Sequence, residues 1–313
     1  YTLWHTLSLH DALPIFSAFR AELMQRLQAG DRILLASTSQ KEARRLEMAA
    51  QQLGVDAERI DSTTNEGGRY RKFFESPEPW LYERQPQLLI LTTSGKTGLS
   101  IEGGISTEGA YFDSVWGYFP SLDTDTHKQL LGRYRPAVPR HIWAPAYIAP
   151  EPGEGPKRWG IDRELSTVAA QYAGYGGFQQ SPDDSHDAAI KRYLAARRQR
   201  RWAQKIMAAD ALADALQQSG HQVQLVTSGV EGDEKITKLW NQIKEDLARE
   251  DADYHAALAI DPDVHTWEWA NQIIRGIDST YKQRCKAAKV RMMQRFPGLD
   301  WNDAQLWYDA EFC

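Results

Sequence analysis

The fold is decided by the stretch Leu88-Leu-Ile-Leu-Thr-Thr-Ser-Gly-Lys-Thr-Gly-Leu-Ser-Ile-Glu-Gly103. The apolar run at its start predicts a short buried strand, and the polar residues with glycines after it predict a loop. A second stretch, Asp113-Ser-Val-Trp-Gly-Tyr-Phe119, has the same form and leads to Gln129-Leu-Leu-Gly-Arg-Tyr-Arg-Pro136. A Gln and two closely spaced arginines after a strand are typical of proteins that handle phosphate groups.

Apolar runs followed by polar residues recur through the first half of the chain. We predict strands at 32–37, 55–60, 88–91, 111–118 and 141–148, and helices at 16–28 and 37–53. This alternation predicts an α/β fold with a parallel sheet. Ligands of such sheets gather at the carboxyl ends of the strands, so residues 37–40, 92–98 and those after Phe119 are candidates for a site.

The second half has a different composition. Pro150-Glu-Pro-Gly-Glu-Gly-Pro156 breaks both helix and strand and predicts a linker over 150–159 between a domain at 16–149 and a predominantly α-helical region at 160–313. We predict helices at 160–173, 185–218, 231–250, 265–294 and 300–310, with a possible strand at 221–227. Tryptophans such as Trp240 and Trp269 occur at spacings that favour helix packing over base stacking.

Composition excludes several classes of protein. No apolar run approaches the roughly 18 residues of a membrane span, so we expect no membrane partner. Cys285 and Cys313 are too few for a disulfide framework and lie in no zinc motif, which favours a reducing cytoplasm and no metal site. The net charge of −5 means that any binding to nucleic acid depends on local patches.

The first residues resemble no protein segment. Thr6-Leu-Ser-Leu-His-Asp-Ala-Leu-Pro-Ile15 can be encoded by one reading frame of a common sequencing-adapter oligonucleotide. The stretch has neither the basic region nor the uninterrupted apolar region of a signal peptide. We therefore predict that residues 1–15 are artefactual, and that the natural amino terminus and whatever preceded it are unknown.

Ser94-Gly-Lys-Thr-Gly98 contains the Gly-Lys-Thr of a phosphate-binding P-loop, but the rest of that motif is missing. A P-loop needs a glycine five residues before Gly95, and Ile90 occupies that position. The remaining interpretations are a loop that contacts nucleic acid and a turn between a strand and a helix with no ligand. Gly95 and Gly98 would allow a phosphate close to the backbone, and Thr92 and Thr93 offer hydroxyls at the strand end.

These two segments, in this order, resemble motifs V and VI of the second RecA-like domain of superfamily 2 helicases. Gln129-Leu-Leu-Gly-Arg133 is similar to the start of motif VI, although its second arginine, Arg135, comes one position early. Gly98-Leu-Ser-Ile-Glu-Gly103 and Phe112-Asp-Ser-Val-Trp-Gly117 further resemble cyanobacterial plasmid replication proteins of the CyRepA1 type, and more distantly origin-binding helicases of the herpesvirus type. The resemblance covers about residues 32–148.

The resemblance implies half of an ATP-driven DNA helicase from a plasmid or phage, with ATP and Mg²⁺ as cofactors. Arg133 would be an arginine finger, Arg135 a second finger or a support, and Gln129 a polar link at the cleft between domains. Ser100 stands where many relatives have an acid, so Ser100 or Glu102 would couple DNA binding to ATP hydrolysis. The Walker motifs would lie in an N-terminal RecA-like domain that this chain lacks. DNA contacts would come from Ser37, Thr38, Ser39, Thr92, Thr93, Gly95, Lys96 and Gly98.

A basic stretch in the second half is a further candidate for DNA binding. Residues 188–209 contain seven Lys or Arg residues and no acid after Asp187 until Asp210. Helical spacing can place Arg197, Arg198, Arg201 and Lys205 near one another. They would either neutralise DNA phosphates or form a solvated helix face, and the sequence does not decide between the two.

Two further interpretations remain open for the whole chain. The first is a DNA-binding scaffold or replication-initiator module that has a RecA-like fold but no enzymatic activity. The second is a nucleotide-binding α/β enzyme unrelated to helicases, although the chain contains no G-x-G-x-x-G motif, catalytic triad or pair of carboxylates to support it.

Overall fold

The computed structural model describes residues 2–5, 12–93, 99–103, 110–149, 185–226, 233–276 and 279–312. Within these residues, seven strands form one sheet in the order β3-β4-β2-β5-β6-β1-β7, and every neighbouring pair is parallel. The strands are β1 (Thr2–His5), β2 (Ile33–Ser37), β3 (Ala57–Ile60), β4 (Leu88–Thr92), β5 (Ser114–Tyr118), β6 (Arg140–Ala144) and β7 (Gln224–Val226).

Helices follow most of the strands. They are α1 (Ala12–Gln28), α2 (Gln40–Gln52), α3 (Arg71–Glu75), α4 (Pro77–Arg84), α5 (Thr124–Leu131), α6 (Ser185–Ile206), α7 (Ala208–Gln218), α8 (Glu234–Ala257), α9 (Trp267–Arg275), α10 (Tyr281–Arg295) and α11 (Ala304–Phe312). Side-chain oxygens of Ser39 and Asp123 accept backbone N–H groups at the starts of α2 and α5. These caps satisfy donors that have no partner inside the helix, so they fix where each helix begins. No helix in the described ranges is long and apolar enough to cross a membrane.

Both faces of the sheet are covered, which explains why its strands are continuous apolar runs. On one face, side chains of α1, α2 and α8 such as Phe19, Leu46 and Ile243 pack against the sheet. On the other face, α3, α5 and α7 contribute Phe73, Leu131 and Leu212 to a second cluster. The helices of the second half thus share both cores with the strands of the first half.

The predicted α/β class, with a parallel sheet followed by mostly helical residues, is confirmed. The domain boundaries stay a prediction, and the structure adds that β7, α7 and α8 belong to the sheet and its cores. Helices α9 and α10 form a separate small cluster with Ala270, Ala287 and Val290. The predicted helix at 160–173 and residues 6–11 of the adapter-like stretch lie outside the described residues.

Several elements differ from the sequence predictions. Thr2–His5 forms a strand between β6 and β7, and α1 begins at Ala12, before the predicted start. The predicted helix at 185–218 is divided at Met207, where the Ala208 N–H donates to the Ala146 carbonyl instead of continuing the helix (2.9 Å). The predicted helix at 265–294 is divided because Thr280 and Gln283 form a capping box that starts α10.

Gly117 in β5 allows a close contact that positions the next loop. A Cβ atom at Gly117 would lie 2.6 Å from the Phe119 ring, closer than such atoms approach one another. The ring of Phe119 instead stacks on the imidazole of His127 in α5, with centroids 4.5 Å apart. The absent side chain therefore lets α5 pack close to the end of β5.

Candidate functional site

The carboxyl ends of the central strands lie side by side. In the register of the sheet, Ser37 of β2 is opposite Thr92 of β4 on one side and Tyr118 of β5 on the other. The residues that directly follow β2, β4 and β5 therefore begin at one edge of the sheet. This carboxyl edge contains most of the candidate residues of the first half.

Arg133 connects the end of α5 to the end of β4. Helix α5 ends at Leu131, Gly132 follows as its cap, and the Arg133 Nη1 donates to the Thr92 carbonyl oxygen at 3.1 Å. Arg133 is partly buried, and burial lowers the pKa of its guanidinium. This hydrogen bond orients the guanidinium at the end of β4.

The backbone joins the two motif-like segments directly. The Ile101 N–H donates to the Arg133 carbonyl (2.7 Å), and the Arg135 N–H donates to the Ile101 carbonyl (2.9 Å), which makes a parallel bridge around Tyr134. Tyr134 is fully buried, and its hydroxyl oxygen accepts the Phe112 N–H at 2.9 Å. The segment after β4 and the segment after α5 are thus held in one register.

Arg135, Ser100 and Glu102 form a chain of hydrogen bonds. The Arg135 Nε donates to the Ser100 Oγ at 3.0 Å, and that hydroxyl donates to the Glu102 Oε1 at 2.6 Å. The Glu102 N–H in turn donates to a carboxylate oxygen of Glu78 in α4 at 2.7 Å. The structure therefore brings the two coupling candidates to the second arginine, and it adds Glu78, for which the sequence gives no signal.

Gln129 lies apart from these contacts. It is exposed on α5, one helical turn before Arg133. Its role as a polar link between domains stays a prediction.

The hydroxyls after β2 have partners within the protein. Ser37 Oγ donates to the Ser39 carbonyl (3.1 Å), and Ser39 Oγ accepts the Glu42 N–H (3.2 Å) as the cap of α2. Thr38 Oγ1 accepts the N–H of Ser121, which follows β5, at 3.2 Å. Ser37 is fully buried, whereas Thr38 and Ser39 are partly exposed. These hydroxyls hold two loops of the edge together, and sequence reasoning missed Ser121.

The loop after β4 is described only at its start. Thr92 is buried, and its hydroxyl has no hydrogen-bond partner among the described residues, whereas Thr93 is exposed. The candidates Gly95, Lys96 and Gly98 lie outside the described residues. Their proposed contacts with nucleic acid stay predictions.

The basic residues of α6 differ in exposure, and their contacts with DNA stay a prediction. Arg197 is exposed, but the Arg201 Nε lies 3.2 Å from the Asp123 Oδ2, and Lys205 is only 6% exposed. The Lys205 carbonyl accepts the Ile148 N–H, since this end of α6 packs on the chain after β6. The side chain of Arg198 lies outside the described set.

His127 has a structural environment. Its Nε2 lies 2.7 Å from the Ser121 carbonyl, its ring stacks on Phe119, and burial lowers its pKa to about 4. A neutral imidazole in this position connects α5 to the loop after β5. Among the described residues, no group of three or more His, Cys, Asp or Glu side chains could hold a metal ion.

Comparison with known proteins gives only distant likenesses. No protein-family model and no curated protein matches the chain. The yeast DEAD-box splicing factor Prp28 is 14% identical, with a TM-score of 0.32, and the match covers 62% of this chain and 36% of Prp28. The Mycobacterium smegmatis helicase Lhr bound to ssDNA and AMP-PNP is 14% identical, with a TM-score of 0.28, and the match covers 69% of this chain and 29% of Lhr. The chain thus spans about a third of the length of these two proteins, and values this low assign no function.

Proposed function

We propose that this chain is the second RecA-like domain of a superfamily 2 DNA helicase or translocase, which acts in the cytoplasm as part of a plasmid or phage replication protein. The proposal is carried by one observation: the segments that resemble motifs V and VI are joined at the carboxyl edge, through Arg133 to Thr92 and through Ile101 to the chain around Tyr134. A motor domain needs these segments in fixed register, since one contacts nucleic acid and the other contacts ATP.

Arg133 is the residue best placed to act on ATP. A guanidinium is a planar and permanently charged fork, which suits the charge that develops on a transferring phosphoryl group. The bond to the Thr92 carbonyl orients Arg133, and the bond to Ser100 orients Arg135. The arginines fit phosphate oxygens. We assign Mg²⁺ and the rest of the nucleotide to another RecA-like domain, where bound ATP would supply the phosphoryl group.

The same edge would contact the DNA backbone. Phosphate contacts in such proteins come from backbone N–H groups, hydroxyls and Lys or Arg side chains. Thr93 is exposed at the end of β4, and Thr38 and Ser39 are partly exposed at the end of β2. Thr93 and Ser100 belong to the same segment after β4. If DNA binding at Thr93 shifted this segment, the hydrogen bond between Ser100 and Arg135 would transmit the shift to the arginine.

DNA-stimulated ATP hydrolysis by the natural protein that contains this chain tests the proposal. We expect Arg133→Ala to lower the stimulated rate by about 10³-fold, the lower end of the contribution of an arginine finger. Arg71→Ala is the matched control, because Arg71 is exposed on α3 and paired with Glu75 of the same helix. An Arg133→Ala protein that hydrolyses ATP at the parental rate would contradict the assignment.

A DNA-binding scaffold without ATP hydrolysis is the second candidate. The observation that favours it is that Arg133 already donates to a carbonyl within its own domain, as a purely structural arginine would. Fluorescence anisotropy of this chain with labelled single-stranded DNA, over a range of salt concentrations, measures DNA binding independently of ATP. If the chain is a scaffold, it should bind DNA. ATP hydrolysis by the natural protein that contains it should then not increase when DNA is added.

A further inference from the structure

A cavity of about 610 Å³ lies beside the carboxyl edge, between α2, the chain after β3, α8 and α10. Gln40, at the start of α2, directly follows the loop of Thr38 and Ser39, so the cavity continues the proposed DNA-contacting edge. Its volume is within the range of about 300–1,000 Å³ typical of ligand pockets. Two of its four walls, α8 and α10, come from the second half of the chain.

Two tyrosines give the cavity an aromatic wall. The rings of Tyr254 in α8 and Tyr281 in α10 are stacked, with centroids 5.8 Å apart and planes 24° apart. Tyr254 is 36% exposed, so part of its ring remains accessible. A flat accessible ring is the surface on which nucleobases stack in proteins that bind single strands.

The cavity has charged side chains of both signs in its walls. Its walls contain three cations, Lys41, Arg44 and Arg59, and two carboxylates, Glu250 and Asp251. Both carboxylates pair with Arg44, at 2.8 and 2.6 Å, and Arg59 pairs with Glu47 and Asp61. Lys41 is the exposed cation at the start of α2.

Polar groups in the wall match the edge of a base. The Gln40 Nε2 donates to the Thr63 Oγ1 at 3.1 Å, and the Gln40 Oε1 accepts the Ser62 hydroxyl at 3.4 Å. An amide has both donors and acceptors, and a hydroxyl can turn to either role. Gln40 can therefore exchange these bonds for bonds to a base, whereas the Thr63 hydroxyl also donates to the Asp61 Oδ1 at 2.7 Å.

We propose that this cavity receives a nucleobase of single-stranded DNA, which stacks on Tyr254 while its phosphate lies near Lys41. Helices α8 and α10 thereby extend the DNA path beyond the edge formed by the first half of the chain. The inference rests on the proposed function, because it places the cavity next to DNA that the carboxyl edge already contacts.

Binding of this chain to two DNA strands of equal length, one with bases and one abasic at the central positions, tests the inference. We expect Tyr254→Leu to weaken binding of the strand with bases about tenfold and that of the abasic strand less than twofold. Tyr254→Phe retains the aromatic ring and is expected to bind like the parent chain. Tyr82→Leu, which removes an exposed tyrosine of α4, is the matched control.

A second variant tests the phosphate contact without altering the rings. We expect Lys41→Gln to weaken both strands and to reduce the salt dependence by about 0.7 in log K against log salt, the value for one phosphate contact of a single strand. If Lys41→Gln leaves the salt dependence unchanged, Lys41 does not contact a DNA phosphate. A 2-aminopurine base scanned along the strand should show strong quenching at one position, and this quenching should disappear in Tyr254→Leu.

The outcomes separate this inference from the proposed function. If the chain binds both strands and Tyr254→Leu weakens them equally or not at all, the cavity holds no base and the DNA-contacting edge stands. If a free nucleotide abolishes the 2-aminopurine signal at equal concentration, the cavity is a mononucleotide site and the inference is wrong. If the parent chain binds neither strand, the DNA contacts of the proposed function fail as well.

Discussion

One arginine follows the C-terminal end of helix α5 and another contacts its N-terminal end, and the two arginines have different partners. At its C-terminal end, Arg133 donates to the Thr92 carbonyl. At its N-terminal end, Arg201 of α6 pairs with Asp123, whose other oxygen caps the helix. A carbonyl leaves the positive charge of a guanidinium in place, whereas a carboxylate neutralises it. The comparison teaches that a carbonyl can orient a guanidinium, whereas a carboxylate orients it and also supplies an opposite charge.

The same difference extends along α6. Toward its C-terminal end, Lys205 is buried where α6 meets the chain after β6, while Arg197 near the middle is exposed. Basic residues of α6 are therefore packed against the protein at the C-terminal end of the helix and exposed near its middle. The arginines after α5 instead lie at the edge where the central strands end.

The largest effect is expected from Lys205→Glu. Reversing the charge of a buried residue puts a carboxylate among neighbours that accommodate an ammonium group, which should cost about 3 kcal/mol. Urea unfolding should show this loss, whereas the folded fraction should bind single-stranded DNA like the parent chain. Arg197→Glu on the same helix is the control, with an expected change in stability below about 0.5 kcal/mol. If Lys205→Glu leaves the stability unchanged but weakens DNA binding, Lys205 contacts DNA together with the exposed basic residues of α6.

Low pH should lower the stability of the protein through His127 in α5. Burial lowers the pKa of His127 to about 4, below the ordinary value near 6.5, so the folded protein leaves this imidazole neutral while the unfolded chain takes up a proton. Stability is therefore complete above pH 6.5 and falls as the pH drops toward 4, by about 1.4 kcal/mol per pH unit.

Urea unfolding at pH 7 and pH 5 measures this dependence, and the expected loss from His127 is about 2 kcal/mol. His141 is buried with a pKa of about 4 and adds a similar loss, and burial also lowers the pKa of His255, so His127→Gln should remove only its own share of about 2 kcal/mol from the difference. A difference that His127→Gln leaves unchanged would mean that His127 is protonated in the folded protein.

The sequence predicts the edge better than it predicts α6, for a physical reason. Strands β2 and β4 are continuous apolar runs, and the order of strand and loop places Arg133 near Thr92 without knowledge of any side-chain contact. The face of α6 that packs depends on Asp123, which is distant in sequence. No pattern in the chain indicates that Arg135 meets Ser100, or that Glu78 holds Glu102. The break at Met207 likewise depends on the partner of one N–H group, the Ala146 carbonyl.

A smaller effect is expected from Asp123→Ala. This change removes the cap of α5, worth about 1–2 kcal/mol, and leaves Arg201 without its carboxylate. Thermal unfolding should show the loss of stability. If α6 approaches DNA, anisotropy should show tighter binding of single-stranded DNA, since Arg201 would be released. Equal affinity in the two proteins would mean that the DNA path does not reach α6.

The smallest effect is the coupling between Asp123 and Arg201. Because the Arg201 side chain is 46% exposed, a double-mutant cycle with Asp123→Asn, which can still cap α5, and Arg201→Gln should give below about 1 kcal/mol. High salt should reduce this coupling. Repeating the cycle on DNA affinity asks whether a phosphate competes with Asp123: Arg201→Gln should then weaken binding more in Asp123→Asn than in the parent chain. Identical effects in both backgrounds would show that a DNA phosphate does not replace the Asp123 carboxylate as the partner of Arg201, and would leave the carboxyl edge as the proposed DNA-contacting surface.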